Sequence, residues 1–199
     1  MKNPPPDRRS GRRNLLLLAA LFFVPVVAAA WLYFSSSWRP LRGMQHGELI
    51  EPPRPLPQVA LILPDGRAAP PDVLRGRWHL VYLGEGPCGD HCRAALAELG
   101  QVRLALDKDA ARVRRVLLHA GDCCEPPLPA AGQGDLLALA AAGPQGRALL
   151  ASFPRAPDGA AAVYIVDPLG NLMMRYPATG AGAGLLKDLQ RLLRLSAIG

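Results

Sequence analysis

The pair Cys88 and Cys92, in the run Cys88-Gly89-Asp90-His91-Cys92, is the group of residues in this chain best suited to chemistry. An apolar run, 78–84, ends just before it, and residues 93–106 after it carry apolar side chains at helical spacing. Positions i and i+4 share one face of a helix, and the unpaired N–H groups of a helix N-terminus favour a thiolate over a thiol. The spacing therefore predicts disulfide exchange, binding of a soft metal ion, or both.

Four histidines are candidates to assist the cysteine pair. His91 lies inside the motif and is the first candidate for a third ligand or a group that tunes the thiols, against the alternative of an exposed side chain in a first helical turn. His119 ends a predicted strand on the side where the dithiol should open, although a half-buried structural histidine is the simpler interpretation. His79 lies in the middle of a strand and is expected to be structural. His46 lies in a proline-rich linker.

Two further cysteines, Cys123 and Cys124, follow the third main predicted strand. Loops at the carboxyl ends of strands gather around the site of an open α/β sheet. These cysteines could pair with or resolve the first dithiol, or add soft ligands; a loop disulfide or unpaired thiols are the alternatives. Glu85 and Asp90 place negative charge near the dithiol, which would raise the thiol pKa values and attract a cation.

An apolar segment near the N-terminus predicts a transmembrane helix at residues 15–34. About 20 such residues span a bilayer, and Pro25 is tolerated inside a membrane helix. Aromatic residues at 31–38 resemble an interfacial belt. A signal peptide cleaved near Ala28-Ala29-Ala30 is the alternative, but the apolar run is long for one.

The flanking charges predict the orientation of this helix. Residues 1–14 carry five basic residues and one acidic residue, which gives +4 of the net charge of +7. Positive charge stays inside, so 1–14 is expected to be a cytoplasmic tail and the rest periplasmic, on a single-pass protein of a bacterial inner membrane. The remaining residues show no lysine-rich stripe with interleaved aromatics, which argues against binding of nucleic acid.

The remainder divides into a proline-rich linker, 35–57, and one domain, 58–199. The patterns in this domain predict an α/β fold, a mixed sheet with helices on both faces. Strands are predicted at 58–63, 77–83, 113–119, 161–166 and 171–176, turns at 64–67 and 167–170, and helices at 88–106, 136–153 with a break at Gly143-Pro144, and 183–195.

This order of elements, with a dithiol opening the first main helix, is the layout of a thioredoxin-like fold. The CxxxC spacing, the anchor and the run Tyr164-Ile165-Val166-Asp167-Pro168-Leu169-Gly170 make the chain resemble the Sco/SenC family of cytochrome c oxidase assembly proteins. The stretch His46 to Leu56 is similar to short, anchored Sco-like proteins encoded beside bacterial oxidase genes. The resemblance implies a thioredoxin-like fold preceded by one transmembrane helix.

The resemblance also implies a copper site at Cys88 and Cys92, because thiolates select Cu(I). The family's third ligand is a histidine five residues before the tyrosine of the turn, and Gly159 stands at that position. Arg93 replaces the proline that usually follows the second cysteine. His91, His119 or the pair Cys123 and Cys124 would have to complete a copper site.

The expected function is therefore that of a membrane-tethered Sco-like accessory protein for cytochrome c oxidase assembly. It would deliver copper or reduce copper-site thiols through Cys88 and Cys92, with an oxidase subunit or another copper or assembly protein as partner. One alternative is a metal-independent thiol–disulfide oxidoreductase, which is the enzyme class the chain would have. Another is a non-catalytic assembly scaffold.

Overall fold

A computed structural model describes residues 8–34, 45–84, 86–121, 134–156 and 158–198. The chain forms two compact units, Met1–Met44 and Gln45–Gly199. The described helices and strands, in chain order, are α1 (Arg8–Phe34), β1 (Glu48–Pro55), β2 (Trp78–Gly84), α2 (Asp90–Leu104), β3 (Val113–His119), β4 (Leu136–Ala140), α3 (Gly143–Ala151), β5 (Ala162–Val166), β6 (Asn171–Pro177) and α4 (Gly182–Leu195), with a 3-10 helix at Asp107–Arg112.

The first unit contains α1, which is uninterrupted despite Pro25 in its interior. Its segment Arg13–Trp31 is 19 residues long and apolar enough to cross a membrane, judged by length and composition. At about 1.5 Å per residue this segment spans roughly 28 Å, close to the thickness of a bilayer's hydrocarbon core. The structure therefore confirms an N-terminal apolar helix of membrane-spanning length.

In the second unit, the described strands form one mixed sheet in the order β1-β6-β5-β2-β3-β4. β2, β3 and β4 run parallel to one another, whereas β5 is antiparallel to β2 and to β6. The start of β5 therefore lies beside the carboxyl end of β2, with Val163 opposite Tyr82. This edge of the sheet also carries the connection from β2 to the cysteine pair.

Each face of the sheet is covered by its own apolar core. Successive residues of β2, such as Leu80 and Val81, point to opposite faces, and both are fully buried. One core contains buried residues of α2 and α4 together with both cysteines. The other contains buried residues of α3 and of the segment 56–74. This confirms the predicted arrangement of helices on both faces.

Two hydrogen bonds fix α4 against α2. The Glu98 carboxylate of α2 accepts from the backbone N–H groups of Gly180 (2.8 Å) and Gly182 (2.6 Å), at the start of α4. A negative charge is favourable at this position, because a helix N-terminus carries partial positive charge. The helix that opens with the cysteine pair is thereby held against the C-terminal helix.

The predicted linker does not extend to residue 57 as expected. Glu48–Pro55 forms β1, an edge strand paired antiparallel with β6. Its register shifts between Leu49 and Arg54, around Pro52 and Pro53. Proline cannot donate to a ladder and is tolerated on an edge strand, so a proline-rich segment that predicts a linker can still complete a sheet.

Two further predictions within the domain are wrong. Residues 136–140, expected to begin a helix, form β4 beside β3, and only Gly143–Ala151 is helical. Leucine and alanine favour helices, but this short run gains its backbone partners from β3. The strand expected at 58–63 is reduced to isolated bridges from Ile62 to Ala68 and to Ala140.

Candidate functional site

The two cysteines of the motif form a disulfide, with their Cα atoms 5.2 Å apart. Cys88 precedes the N-cap residue Gly89, and Cys92 lies in the first turn of α2. Both are largely buried, at 8% and 7% exposure, at the edge of the core under α2. When the bond is reduced, the free N–H groups of this turn would stabilise a thiolate.

Arg93 contacts the cysteine motif in a way that the sequence did not predict. Its guanidinium pairs with the carboxylate of Asp90 at 2.6 Å and donates to the carbonyl oxygen of Cys88 at 2.8 Å. Asp90 was expected to disfavour a thiolate, but Arg93 offsets its charge beside the disulfide. The i,i+3 spacing of an acid and a base in a first helical turn was the available signal.

His91 lies in the first turn of α2 and is exposed. Although His91 lies between the two cysteines along the chain, its ring is at the protein surface, where it is accessible to a partner. The described residues contain no cluster of three histidine, cysteine or carboxylate groups that could hold a metal ion.

His119 ends β3 directly beside Gly84 of β2, at the edge from which the chain runs to Cys88. Alternation along β3 places it on the same sheet face as the buried Leu117, the face covered by α2. Its side chain is 9% exposed, its Nδ1 atom has no partner among the described residues, and burial lowers its pKa. The structure thus brings a neutral imidazole to the edge that carries the disulfide.

His79 is structural, as its position in the middle of a strand predicts. It is 1% exposed on the opposite sheet face, and neither ring nitrogen has a partner among the described residues. Burial, with a contribution from the nearby Arg114 charge, lowers its pKa to about 4. The ring is therefore neutral at physiological pH and contributes no charge to the site.

His46 also has a structural role, since Asp188 of α4 binds it. The buried Asp188 carboxylate accepts from the His46 backbone N–H at 2.6 Å, and its other oxygen lies 3.2 Å from His46 Nδ1. The Tyr176 hydroxyl donates to the same carboxylate at 2.7 Å. Burial alone would raise the pKa of Asp188, but these donors hold it below its ordinary value. The network fixes the entry of the chain into the domain.

Gly159, at the position of the family histidine, lies on the loop before β5, beside the carboxyl end of β2. Its φ is +70°, in the left-handed region that favours glycine. No atom lies within 4 Å of a Cβ built there, so space is available but the backbone suits glycine. Gly159 therefore supplies no third ligand to complement the two cysteine sulfurs.

The Asp-Pro-x-Gly motif does not belong to the site. It forms the turn between β5 and β6, at the end of β5 that pairs with the start of β2, where Val166 lies opposite His79. The Asp167 carboxylate accepts from the backbone N–H groups of Leu169 (2.9 Å) and Asn171 (2.7 Å), which closes the turn. This motif therefore forms the turn of the β5–β6 hairpin, at the end of the strands that is remote from the connection to the disulfide.

Some predicted site residues lie outside the described ranges. They are Glu85, Cys123 and Cys124. Methionine sulfur is a soft donor, but Met174 is 3% exposed within the core under α2 and α4, and its sulfur lies 3.5 Å from the Tyr176 hydroxyl oxygen. Met173 is partly buried against the same core.

A mixed sheet covered on both faces, with a disulfide at the N-terminus of its first helix, defines a thioredoxin-like protein, here preceded by an apolar helix. Residues 78–196 match the family model described as "Transmembrane-like, thioredoxin-like, C-terminal domain", and residues 5–36 match "Transmembrane-like, N-terminal domain". The chain belongs to this family of transmembrane-like, thioredoxin-like proteins. None of the curated proteins compared with it is detectably similar in sequence.

Solved structures of Sco proteins share the fold. Apo Sco1 of Thermus thermophilus is 22% identical, with a TM-score of 0.57 over 74% of this chain and 96% of its own. Yeast Sco1 with copper bound is 15% identical, with a TM-score of 0.60 over 73% and 96%. BsSco, described as having a disulfide switch and as a member of the Sco family of cytochrome c oxidase assembly proteins, is 16% identical, with a TM-score of 0.54 over 75% and 99%. The predicted thioredoxin-like fold is confirmed, and the solved structures that share it include Sco proteins.

Proposed function

We propose that this protein is a membrane-tethered thiol–disulfide protein that reduces copper-site cysteines during assembly of cytochrome c oxidase. The observation that carries the proposal is the Cys88–Cys92 disulfide at the N-terminus of α2. The Arg93 guanidinium beside Cys88 supports it, since a nearby positive charge favours the thiolate that exchange requires. The shared fold of Sco proteins supports the choice of pathway.

The reaction is a two-step exchange. A thiolate of the reduced pair attacks a disulfide of the partner, forming a mixed disulfide and releasing one partner thiolate, which takes up a proton. The second cysteine, after losing its proton to solvent, attacks the mixed disulfide. This closes the Cys88–Cys92 bond and releases the second partner thiolate. Two electrons pass to the partner, and an upstream dithiol reductase restores the reduced pair.

The placement of the domain follows from α1 and its charges. With 1–14 in the cytoplasm and 15–34 in the inner membrane, the disulfide would lie in the periplasm, where thiol pairs are oxidised. An oxidase subunit that needs reduced cysteines to receive copper is a partner suited to this location. The chain would act there as a thiol–disulfide oxidoreductase.

Oxidase assembly in cells that lack the protein provides the test. Wild type should restore assembled oxidase, whereas Cys88→Ser with Cys92→Ser should not, although the variant reaches the membrane in equal amount. Asp65→Asn, an exposed change outside the site, is the control and should restore assembly. Full restoration by the double serine variant would refute the exchange role and leave a scaffold function.

Copper delivery is the second candidate, since two thiolates at one helix turn are a soft donor set. Titration of the reduced full-length protein with Cu(I) in neutral detergent separates the two functions. Equal affinity of wild type and the double serine variant would exclude copper binding at the pair. Gly159→His should raise copper affinity above that of Gly159→Ala, which shares the backbone strain, if a third ligand is what the site lacks.

A further inference from the structure

The end of the domain remote from the disulfide exposes large apolar side chains. This end consists of the starts of β2, β3 and β4, the ends of β1, α2 and α4 and the β5–β6 turn, and we call it the basal end. Among the described residues of the second unit, every large apolar side chain that is more than half exposed lies here: Leu104, Leu169, Leu195 and Ile198. Scattered exposed leucines are common, but a group of them at one end of a domain indicates a contact surface.

Arg112 holds the last residues of α4 and the chain after it at the basal end. It directly precedes β3, and its guanidinium donates to the carbonyl oxygens of Leu193 (3.0 Å), Ser196 (2.8 Å) and Ile198 (3.2 Å). Leu195 and Ile198 are therefore fixed beside the start of β3. A surface that is already ordered loses little conformational entropy when it makes a contact.

The basal end also carries an excess of positive charge. Arg112 and Arg103 are paired there with Asp109 (3.3 Å) and Asp135 (3.2 Å). The remaining described basic residues of this end are Arg54, Arg75, Arg77, Lys108, Arg191 and Arg194. They outnumber the remaining described carboxylates, which are Asp72, Asp107 and Asp167. The surface thus combines exposed apolar side chains with a net positive charge.

We propose that the basal end rests on the anionic surface of the lipid bilayer. Arginine at an interface reaches the phosphate groups of the lipids, while leucine and isoleucine enter the boundary between headgroups and acyl chains. The helix of membrane-spanning length in the same chain supplies the bilayer and keeps the domain close to it, so even a weak contact forms. The inference rests on the membrane tether of the proposed function and does not depend on disulfide exchange.

This contact directs the disulfide away from the bilayer. β2 and β3 are 7 residues long, so the edge that carries the disulfide lies about 23 Å from the basal end. The domain begins at Gln45, near the edge that carries the disulfide, because β1 starts beside the end of β6. The chain from Phe34 to Gln45 can extend over at most about 40 Å, which is enough for this arrangement. The partner cysteines would then lie in a part of the partner outside the membrane.

Lipid contact is tested on the full-length protein with one copy per nanodisc, using tryptophan quenching by brominated lipid. The nanodiscs contain equal parts of brominated phosphatidylcholine and phosphatidylglycerol. Ile198→Trp should lose more emission there than Ala142→Trp, an exposed change just before α3, near the edge that carries the disulfide. Wild type gives the background of the native tryptophans. Equal quenching of the two variants would overturn the proposal.

The part played by charge is tested in the Ile198→Trp background. Arg191→Gln with Arg194→Gln should lose most of the quenching, since each arginine near an anionic surface contributes roughly fivefold to binding. Arg67→Gln with Arg147→Gln changes the net charge equally at exposed positions outside the basal end and should keep the quenching. Equal quenching in nanodiscs without phosphatidylglycerol would overturn the assignment of an anionic surface, as would loss of quenching in the control variant.

Hydrogen exchange of the chain without an added tryptophan gives an independent measure. Amides of residues 191–198 should exchange several-fold more slowly in the anionic nanodiscs than in neutral detergent, whereas those of residues 158–161, before β5, should not change. Equal exchange of 191–198 in both would contradict the lipid contact.

A reaction with oxidised glutathione separates this inference from the proposed exchange function. The reduced pair Cys88 and Cys92 gives two electrons to glutathione disulfide, which yields two glutathione thiols and closes the Cys88–Cys92 bond. Its rate should be similar in wild type and in the Arg191→Gln, Arg194→Gln variant. If glutathione is reduced but the basal end does not contact lipid, this inference fails alone. If lipid contact is observed but glutathione is not reduced, the exchange function fails alone.

Discussion

The charge around the disulfide is set by Arg93, which contacts both Asp90 and the Cys88 backbone. Asp90 is 97% exposed and Arg93 46% exposed, so their attraction is screened by water. Because it is screened, the ion pair should contribute little to stability. The charge of Arg93 lies beside Cys88, however, so we expect it to tune the reactivity of the two cysteines.

Replacement of Arg93 tests this role. Arg93→Gln removes the positive charge and leaves Asp90 unbalanced, so the fraction of reduced cysteine present as thiolate should fall. Alkylation by iodoacetamide near pH 7 should slow about threefold. Asp90→Asn is the matched control, and it should speed alkylation by a similar factor. Equal rates in both variants would show that neither charge acts on the thiols.

The buried His79 predicts a loss of stability in acid. Its folded pKa of about 4 lies below the ordinary value of 6.5, so the unfolded chain binds more protons between these values. Stability should therefore decrease as the pH falls from about 6.5 towards 4. His79→Leu, similar in size and apolar, should remove about 2 to 3 kcal/mol of the stability difference between pH 7.5 and 4.5.

Urea unfolding at these two pH values measures the effect. The exposed Leu104→Ala, which changes no ionisable group, is the control and should leave the pH dependence as it is in wild type. A His79→Leu variant that loses as much stability in acid as wild type would contradict the assignment of a neutral, buried imidazole.

A partly buried ion pair ties α2 to β3 and to the start of β4. Arg115, 3% exposed, donates from Nε and Nη2 to the two oxygens of Asp135, both at 2.7 Å, and from Nη1 to the Leu96 carbonyl oxygen at 2.9 Å. Gly100 of α2 makes room for this side chain, because a Cβ there would lie 2.8 Å from Arg115 Nη1. The pair holds the helix that carries the disulfide.

Breaking this pair should destabilise the domain. Asp135→Asn removes the carboxylate that pairs with Arg115 and Arg103 and should lower the free energy of unfolding by about 2 kcal/mol. Asp65→Asn, which removes the exposed partner of Arg67, should leave it unchanged within error. Chemical denaturation of both variants decides the point, and an equally small effect in both would contradict a structural role for Arg115.

The sequence predicts correctly the strands and helices in which the spacing of apolar residues within the segment is clear. Residues 113–119 form the predicted strand, and α2 begins two residues after Cys88. β4 was missed because its Leu-Ala composition favours a helix, and pairing with β3 overrides that preference. The bond between His46 and Asp188 joins residues 142 positions apart, and no local pattern reports it.

We expect α1 and the disulfide domain to remain on one uncleaved chain that crosses the membrane once. The membrane fraction should contain a protein of 21.2 kDa, rather than a soluble product about 3 kDa smaller. After mild reduction of spheroplasts, a membrane-impermeant maleimide should label the cysteines of wild type, and labelling should decrease in the Cys88→Ser, Cys92→Ser variant. Labelling of this pair only after lysis would reverse the orientation.

The reduction potential of the Cys88–Cys92 bond, measured on the full-length protein against a glutathione or dithiothreitol buffer, distinguishes a disulfide that exchanges from one that is structural. A pair that exchanges electrons with a partner should have a potential between about −270 and −120 mV, the range of known thiol–disulfide proteins. A potential below about −300 mV is typical of a structural disulfide. That result would contradict the account, because the pair would then only stabilise the domain.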